Sequence, residues 1–561
     1  MNTNLLAKLL VNTNDLNNMK LLLKAIFTSK ELKEFDNRLK IFQLLMQGQK
    51  HREISENLNV GIATVTIGSS EFEKDEIFKI KTNIIDILRS KNSIMTSKKE
   101  QKKININGKP KYINLGTDYN FFELFQKIQL NFVNCFLFES LGEESNISRY
   151  HIIGFDPKYI ISSENDHELK INCPTSGETD TITCDNPYYK LRDIIPQNVI
   201  SRKYAGGLVG YISYDSINYF ESNLNIKKHP KFESFKFGVF LDGLIYDQMT
   251  GEVFYYYYEE NKIEKIKNII KQKRKKSLNI QCKFLNDSMT KDQHKKTVLK
   301  IKEDIKNGLI FQCEVGFKSH YEIKGDQTAI YEKLRNLNPS PHMYFMKFCD
   351  QVIIGASPEL LFRLRNGEME TFPLAGTTKR GKDKLEDLKL ARELLKDKKE
   401  IAEHNMLVDL HSNDLGRVAK FGTVKVRNLM DIKKYSHVQH ISSEIAGIIS
   451  EEEDMFSALA SNFPAGTLSG APKIEAMKII NEIEEEGRGP YGGAIGQFGF
   501  NGDCTFAIPI RSIFITGEQA YAQTCGGNVY DSDPDKEYLE IERKLAAMKT
   551  VLASFEEKEI K

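Results

Sequence analysis

The texture of the chain changes near residue 113, and that break limits the fold more than any single motif. Residues 1 to about 90 read as all-helical. Thr28-Ser29-Lys30-Glu31 is a capping-box sequence, and Leu32, Phe35, Leu39, Phe42 and Met46 follow at helical spacing until Gly48 stops the helix. Two shorter helices, 51–58 and 62–70, are joined through Val60-Gly61 in a helix-turn-helix arrangement. Residues 91–112 are basic, polar and short of large apolar side chains, which predicts a linker. Beyond them, strand-like runs (207–214, 236–246, 252–258, 309–321, 343–348, 352–356, 505–516, 519–525) alternate irregularly with helical stretches at 290–306, 326–336, 384–412, 471–486 and 535–555. Irregular alternation favours a mixed α+β domain over a βαβ array. A chain of 561 residues exceeds one ordinary core. The expected organisation is a small all-α domain (1–90), a linker (91–112) and a large domain (113–561).

Composition narrows the setting. No run of 18 apolar residues and no secretory signal pattern occurs, and the eight cysteines are scattered without a C-x-x-C pair. That predicts a cytoplasmic protein with reduced thiols, no membrane contact, no disulfide framework and no zinc site. His437 and His440 have metal-like spacing, but no third ligand follows at a recognised distance. The chain contains no tryptophan, and its net charge of +2 hides a basic excess in the first 105 residues.

Two acidic turns carry chemistry. Glu400 and Glu403 lie three residues apart in a segment of helical spacing, and so do Glu537 and Glu540. Such residues share one side of a helix. Two such helices facing each other offer oxygen ligands to a hard cation, for which Mg²⁺ is the natural candidate. Asp533-Pro534 would cap the second helix. The turn around Thr467 leads into a helix whose free N–H groups favour anions.

The blocks GASPELLFRL (355–364), FPLAGTTKRG (372–381), EIAEHNMLVDLHSNDLGR (400–417), YSHVQHISSEIAG (435–447), FPAGTLSGAPKIEAM (463–477), GPYGGAIG (489–496) and DSDPDKEYLEIERK (531–544) resemble component I of anthranilate synthase, among the chorismate-utilising enzymes. The resemblance covers residues 113 to about 555. It implies two packed antiparallel sheets with outer helices and the site between them. It further implies Glu403 and Glu540 as direct Mg²⁺ ligands, with Glu400 and Glu537 behind them. Glu359 becomes the general acid for the departing ring hydroxyl, and His440 serves the ring chemistry and pyruvate loss. Arg511 and Tyr491 grip the pyruvyl carboxylate. Gly376, Thr377, Thr467, Cys525, Gly526, Gly527 and Lys544 contact substrate.

Within that group the nucleophile is read from two positions. Isochorismate and salicylate synthases place a lysine as base for water where this chain has Gln312, so ammonia is expected instead. Ala375 replaces the lysine of aminodeoxychorismate synthases. No G-x-C-x-G-x-Q glutaminase signature is present, so a separate amidotransferase subunit is expected to deliver ammonia. Ser140, Pro341, His342 and Met343 match the family's tryptophan feedback site, with His342 in place of tyrosine. Cys525-Gly526-Gly527 stands for the family's G-A-G.

Residues 28–69 resemble the tryptophan repressor. Thr28 and Arg38 match corepressor contacts, and Ile67 stands where a second arginine is found. The recognition helix has no Lys or Arg, and Glu71, Glu73, Asp75 and Glu76 follow it. DNA affinity rests largely on phosphate neutralisation, so a dimerisation or regulatory role is favoured over DNA as a partner of residues 1–90. Two other functions stay open: a tryptophan-sensing transcription regulator on a synthase fold, and another ammonia-dependent chorismate enzyme.

Overall fold

The computed structural model describes residues 23–46, 51–58, 60–62, 64–66, 69, 104, 106, 108–142, 148–201, 203–221, 223–273, 280–434 and 438–556. The chain separates into two units, Met1–Gln101 and Lys102–Lys561.

In the first unit, helices Ser29–Met46 and His51–Leu58 pack through Ile41, Ile54 and Val65, with Leu44, Leu45, Leu58 and Val60 around them. Ser55 ties the turn: its hydroxyl donates to the Val60 carbonyl at 2.7 Å. The expected apolar stripe differs here. Phe35 and Leu39 are exposed, because the inward face is the one that carries Ile41. Thr64–Thr66 is helical, whereas Gly48, Ile67 and the acidic residues 71–76 lie outside the described residues, as does most of 91–103.

The second unit holds, among the described residues, two antiparallel sheets of twelve strands each. The first runs in the order Lys111–Gly116, Glu252–Tyr257, Asp242–Asp247, Tyr150–Phe155, Asn134–Glu139, His342–Phe348, Gln351–Ser357, Ser512–Thr516, Gln519–Asn528, Gln312–Lys324, Gln281–Asp287, with Gly470–Ala471 also paired to Gln312–Lys324. The second runs Leu374–Lys379, Val438–Ile448, Glu368–Thr371, Leu360–Arg365, Cys504–Ala507, Ala494–Gly499, Gly207–Ile212, Phe235–Phe240, Tyr159–Ser163, Glu168–Asn172, Thr179–Thr183, with Lys425–Lys434 also on Val438–Ile448. Ile104, inside the segment read as a linker, is buried in this unit and bonds to the Ile194 carbonyl at 3.0 Å.

Alternation along the strands builds two apolar layers. Phe136, Tyr344 and Phe514 join Leu208, Phe237 and Phe498 in the layer between the sheets. Their neighbours Leu137, Phe345 and Ile513 point the other way, under an outer layer of helices that includes Phe121–Asn131 and Pro534–Ala553.

Three segments expected to be continuous are broken, and each break matters. The run 236–246 is two strands, Phe235–Phe240 and Asp242–Asp247, in different sheets. The run 505–516 also changes sheet, between Cys504–Ala507 and Ser512–Thr516. Pro509 cannot donate to a ladder, and Arg511 adopts φ +50°. The helical stretch 384–412 splits into Lys384–Leu394 and Lys398–Gly416, because the Asp397 side chain accepts from the N–H groups of Lys399 and Glu400 and so starts a new helix. No described helix is long and apolar enough to cross a membrane.

Candidate active site

Four pieces of backbone meet at one place. Strand Gln312–Lys324 pairs with Gln519–Asn528 so that Glu314 faces Gly527 and Gly316 faces Cys525. The Ser357-Pro358-Glu359 turn carries the chain from the first sheet to the second, and residues 508–511 carry it back. These crossovers bond to each other, Ile508 N–H to the Glu359 carbonyl and Ala356 N–H to the Arg511 carbonyl. On the second sheet, Thr377 lies opposite His440.

Glu359 is buried, and Thr467 Oγ1 donates to its Oε1 at 3.1 Å. Burial drives its pKa up to about 8, and negative Glu314 adds to the rise, against Thr467, Arg511 and Lys544. It therefore holds a proton at neutral pH, as a general acid must. His440 is pushed the other way, down to about 4, by burial and then by Arg511. Its Nδ1 lies 2.9 Å from Thr377 Oγ1 and 3.3 Å from the Gly376 carbonyl. A carbonyl only accepts, so a proton on Nδ1 satisfies it and makes Nε2 the acceptor nitrogen of the neutral ring.

The two acidic helices reach the same place. A Cβ on Gly376 would stand 3.1 Å from Glu400 Oε2, and one on Gly526 would stand 3.8 Å from Glu537 Oε2. Burial raises Glu400, Glu403 and Glu537, and the charge of Glu540 adds to each. Burial also works upward on Glu540, but Lys544 at 2.8 Å and Lys399 hold it below the usual carboxylate range. Lys544 also donates to the Cys525 carbonyl at 3.0 Å. Mutual repulsion between carboxylates from two helices is what a divalent cation relieves. Mg²⁺ takes one or two protein carboxylates and completes its shell with water and substrate oxygens. The donor set fits that ion, and among the described residues no three His, Cys, Asp or Glu side chains form a ready-made cage for a more demanding one. His404 and His411 fasten the first helix from behind, at 2.6 Å to Ser443 Oγ and 2.8 Å to Thr371 Oγ1.

Sequence reasoning missed two residues. Glu314 is buried two positions after Gln312, whose Nε2 donates to its Oε1 at 3.0 Å. Strand periodicity places both on one face, which the sequence did offer as a signal. Arg488 is buried against Glu484, and it donates to the carbonyls of Leu468 at 2.6 Å and Glu314 at 2.7 Å. Its guanidinium also lies over the Tyr214 and Tyr491 rings. It thus ties three site segments together. Arg488→Ala strands a buried Glu484 charge, and a loss of about 3–5 kcal/mol in denaturant unfolding is expected. Tyr491 is buried with its hydroxyl donating to Cys525 Sγ at 3.2 Å. Gly527 has no room for a side chain, since a Cβ would come 2.5 Å from Gln312 Nε2 and 2.6 Å from Glu314 Oε1. Gly527→Ala should keep the fold, because both contacts are side-chain ends, while raising the substrate KM in steady-state kinetics.

The residues matched to a feedback site lie elsewhere. A cavity of about 390 Å³ is lined by Pro341, His342 and Met343 together with Glu139, Arg363 and Tyr204. Ser140 is buried beside Glu139, and its hydroxyl has no hydrogen-bond partner among the described residues. Burial and then Arg363 push His342 down to about 4, so it is neutral there. His437 lies outside the described residues.

The chain is similar to known proteins along most of its length. A family model for chorismate binding enzymes matches residues 133–550, and one for the Trp repressor protein matches residues 2–77. Anthranilate synthase component 1 of Leptospira biflexa is 50% identical over 459 residues, covering 80% of this chain and 97% of that protein. The protein of the same name from Methanothermobacter thermautotrophicus is 41% identical over 428 residues, 76% of this chain and 91% of its own. Among solved structures, anthranilate synthase component I from Streptococcus pneumoniae superposes with a TM-score of 0.63 at 30% identity, covering 72% of this chain and 93% of that one. The menaquinone-specific isochorismate synthase of Escherichia coli shares the fold, with a TM-score of 0.61 at 16% identity over 83% of this chain and 99% of its own.

Proposed function

The chain belongs to the chorismate binding enzyme family, and from that premise we propose that it is the large subunit of an anthranilate synthase, joining chorismate and ammonia and releasing anthranilate, pyruvate and water. The observation that carries this reading is the convergence of a buried, protonated Glu359, Arg511 and two pairs of helix-borne carboxylates on one site. Chorismate is a dianion whose ring hydroxyl must leave. Glu359 protonates that hydroxyl. Arg511 and Tyr491 take the pyruvyl carboxylate, with the Cys525-Gly526-Gly527 and Gly376-Thr377 backbones alongside. Lys544 and Thr467 hold the same end of the site through Cys525 and Glu359. His440, whose Nε2 is the acceptor nitrogen of the neutral ring, takes the ring proton as pyruvate departs.

Glu403 and Glu540 would hold Mg²⁺, with Glu400 and Glu537 behind them. An ion there would supply positive charge to neutralise the substrate's ring carboxylate. Gln312 sits where a base for water would otherwise be, which favours nitrogen as the nucleophile. A glutamine amidotransferase subunit would supply ammonia. Tryptophan would inhibit through the cavity beside Ser140, Pro341, His342 and Met343, and the repressor-like residues 1–90 would serve as a separate helical module.

Chelation tests the metal part of the reading: EDTA should abolish anthranilate fluorescence from chorismate and ammonium, and Mg²⁺ should restore it. A rate indifferent to chelation would overturn the carboxylate assignment. Added tryptophan should lower the same rate, and Ser140→Leu should relieve that inhibition without changing the uninhibited rate.

A further inference from the structure

Glu314 has no role in anything described so far, yet it lies at the centre of the site. Both of its oxygens accept hydrogen bonds, Oε1 from Gln312 Nε2 at 3.0 Å and Oε2 from the Cys525 thiol at 3.4 Å. Its backbone carbonyl is held by Arg488 at 2.7 Å, which fixes the strand from which it projects. Its charge is felt by Glu359, and it in turn feels Lys544, Glu403 and Glu540. A carboxylate that only accepts is set up to take a proton. Gln312, its neighbour on the same strand face, cannot.

We propose that Glu314 is the base of the amination step, accepting the proton that nitrogen sheds as it bonds to the chorismate ring. This rests on the anthranilate synthase reading and deepens it. The nitrogen lone pair forms the new N–C bond, one N–H bond breaks, and its proton becomes an O–H on the Glu314 carboxylate. The ring double bonds shift as the C–O bond breaks, and Glu359 gives its proton to the departing hydroxyl, which leaves as water. Gln312 keeps one lobe of the carboxylate in place, and Cys525 keeps the other. Burial pushes Glu314 upward and Lys544 works against it, so the carboxylate can take a proton and give it back.

The test is steady-state kinetics of Glu314→Gln and Glu314→Asp in the full chain, with chorismate, Mg²⁺ and ammonium. Glu314→Gln should lower kcat/KM for ammonium by roughly 10²-fold and leave the chorismate KM unchanged, while Glu314→Asp retains part of the rate. An unchanged ammonium dependence overturns the proposal. So does a raised chorismate KM with normal ammonium kinetics, which would make Glu314 a substrate contact. Wild-type chain that forms no anthranilate under these conditions would instead refute the activity on which the proposal rests.

Discussion

Glu359→Gln should lower anthranilate formation by roughly 10²–10⁴-fold while chorismate still binds. The side chain is buried, its Oε1 accepts from Thr467 Oγ1, and its pKa is pushed up to about 8. An amide preserves shape and loses the transferable proton, so kcat falls and KM does not. The sign of the pH dependence follows. Below about 8 the acid is protonated and competent; above it the rate falls, and that descending limb should vanish in the variant. The same burial makes the folded chain keep a proton that the unfolded chain releases in the ordinary carboxyl range. Stability from this group is therefore full at low pH and lost as pH rises toward about 8. Rate–pH profiles and pH-dependent melting of both proteins check the two statements separately.

Glu403→Gln and Glu540→Gln should each cost more than about 10²-fold in activity and in apparent Mg²⁺ affinity. Each removes one of the negative oxygens that crowd together from the two helices. Because burial and like charge destabilise the Glu403 carboxylate without a cation, Glu403→Gln should melt no lower than the parent in the absence of metal, whereas Glu540→Gln also gives up the Lys544 ion pair. Their distinguishing loss is the stabilisation that added Mg²⁺ gives the parent by binding the folded state alone. Melting with and without Mg²⁺ separates this from simple unfolding. Glu400→Gln and Glu537→Gln, one step back over Gly376 and Gly526, should show the same effect more weakly.

Much of this site was legible in the sequence because helices repeat their faces every three to four residues. The spacing of Glu400 to Glu403 and of Glu537 to Glu540 placed the carboxylates without knowledge of the fold. Asp533 caps the second helix through the N–H groups of Asp535 and Lys536, as its sequence suggested. What stayed hidden was where strands change sheets. A continuous apolar run looks the same whether it stays in one sheet or bends at Leu241 or between Ala507 and Ser512. Yet the second of these bends, with the Ser357-Pro358-Glu359 turn, brings Glu359 and Arg511 together. Glu314 and Arg488 were missed for a related reason: strand periodicity put Glu314 on the face of Gln312, but a charged residue in a strand or turn points to no partner until the structure supplies the carbonyls and amides that meet it. In the helical unit the misjudged face, with Phe35 and Leu39 exposed, reflects two overlapping apolar stripes on Ser29–Met46, between which only packing on Ile54 decides.

The most direct measurement is product identification after incubating the chain with chorismate, Mg²⁺ and ammonium, by fluorescence and mass. Anthranilate and pyruvate in equal amounts, both absent from a parallel Glu359→Gln incubation, is the expected result. Accumulation of an aminated ring that keeps its pyruvyl group, formation of isochorismate, or chorismate left unconverted at high ammonium would contradict it.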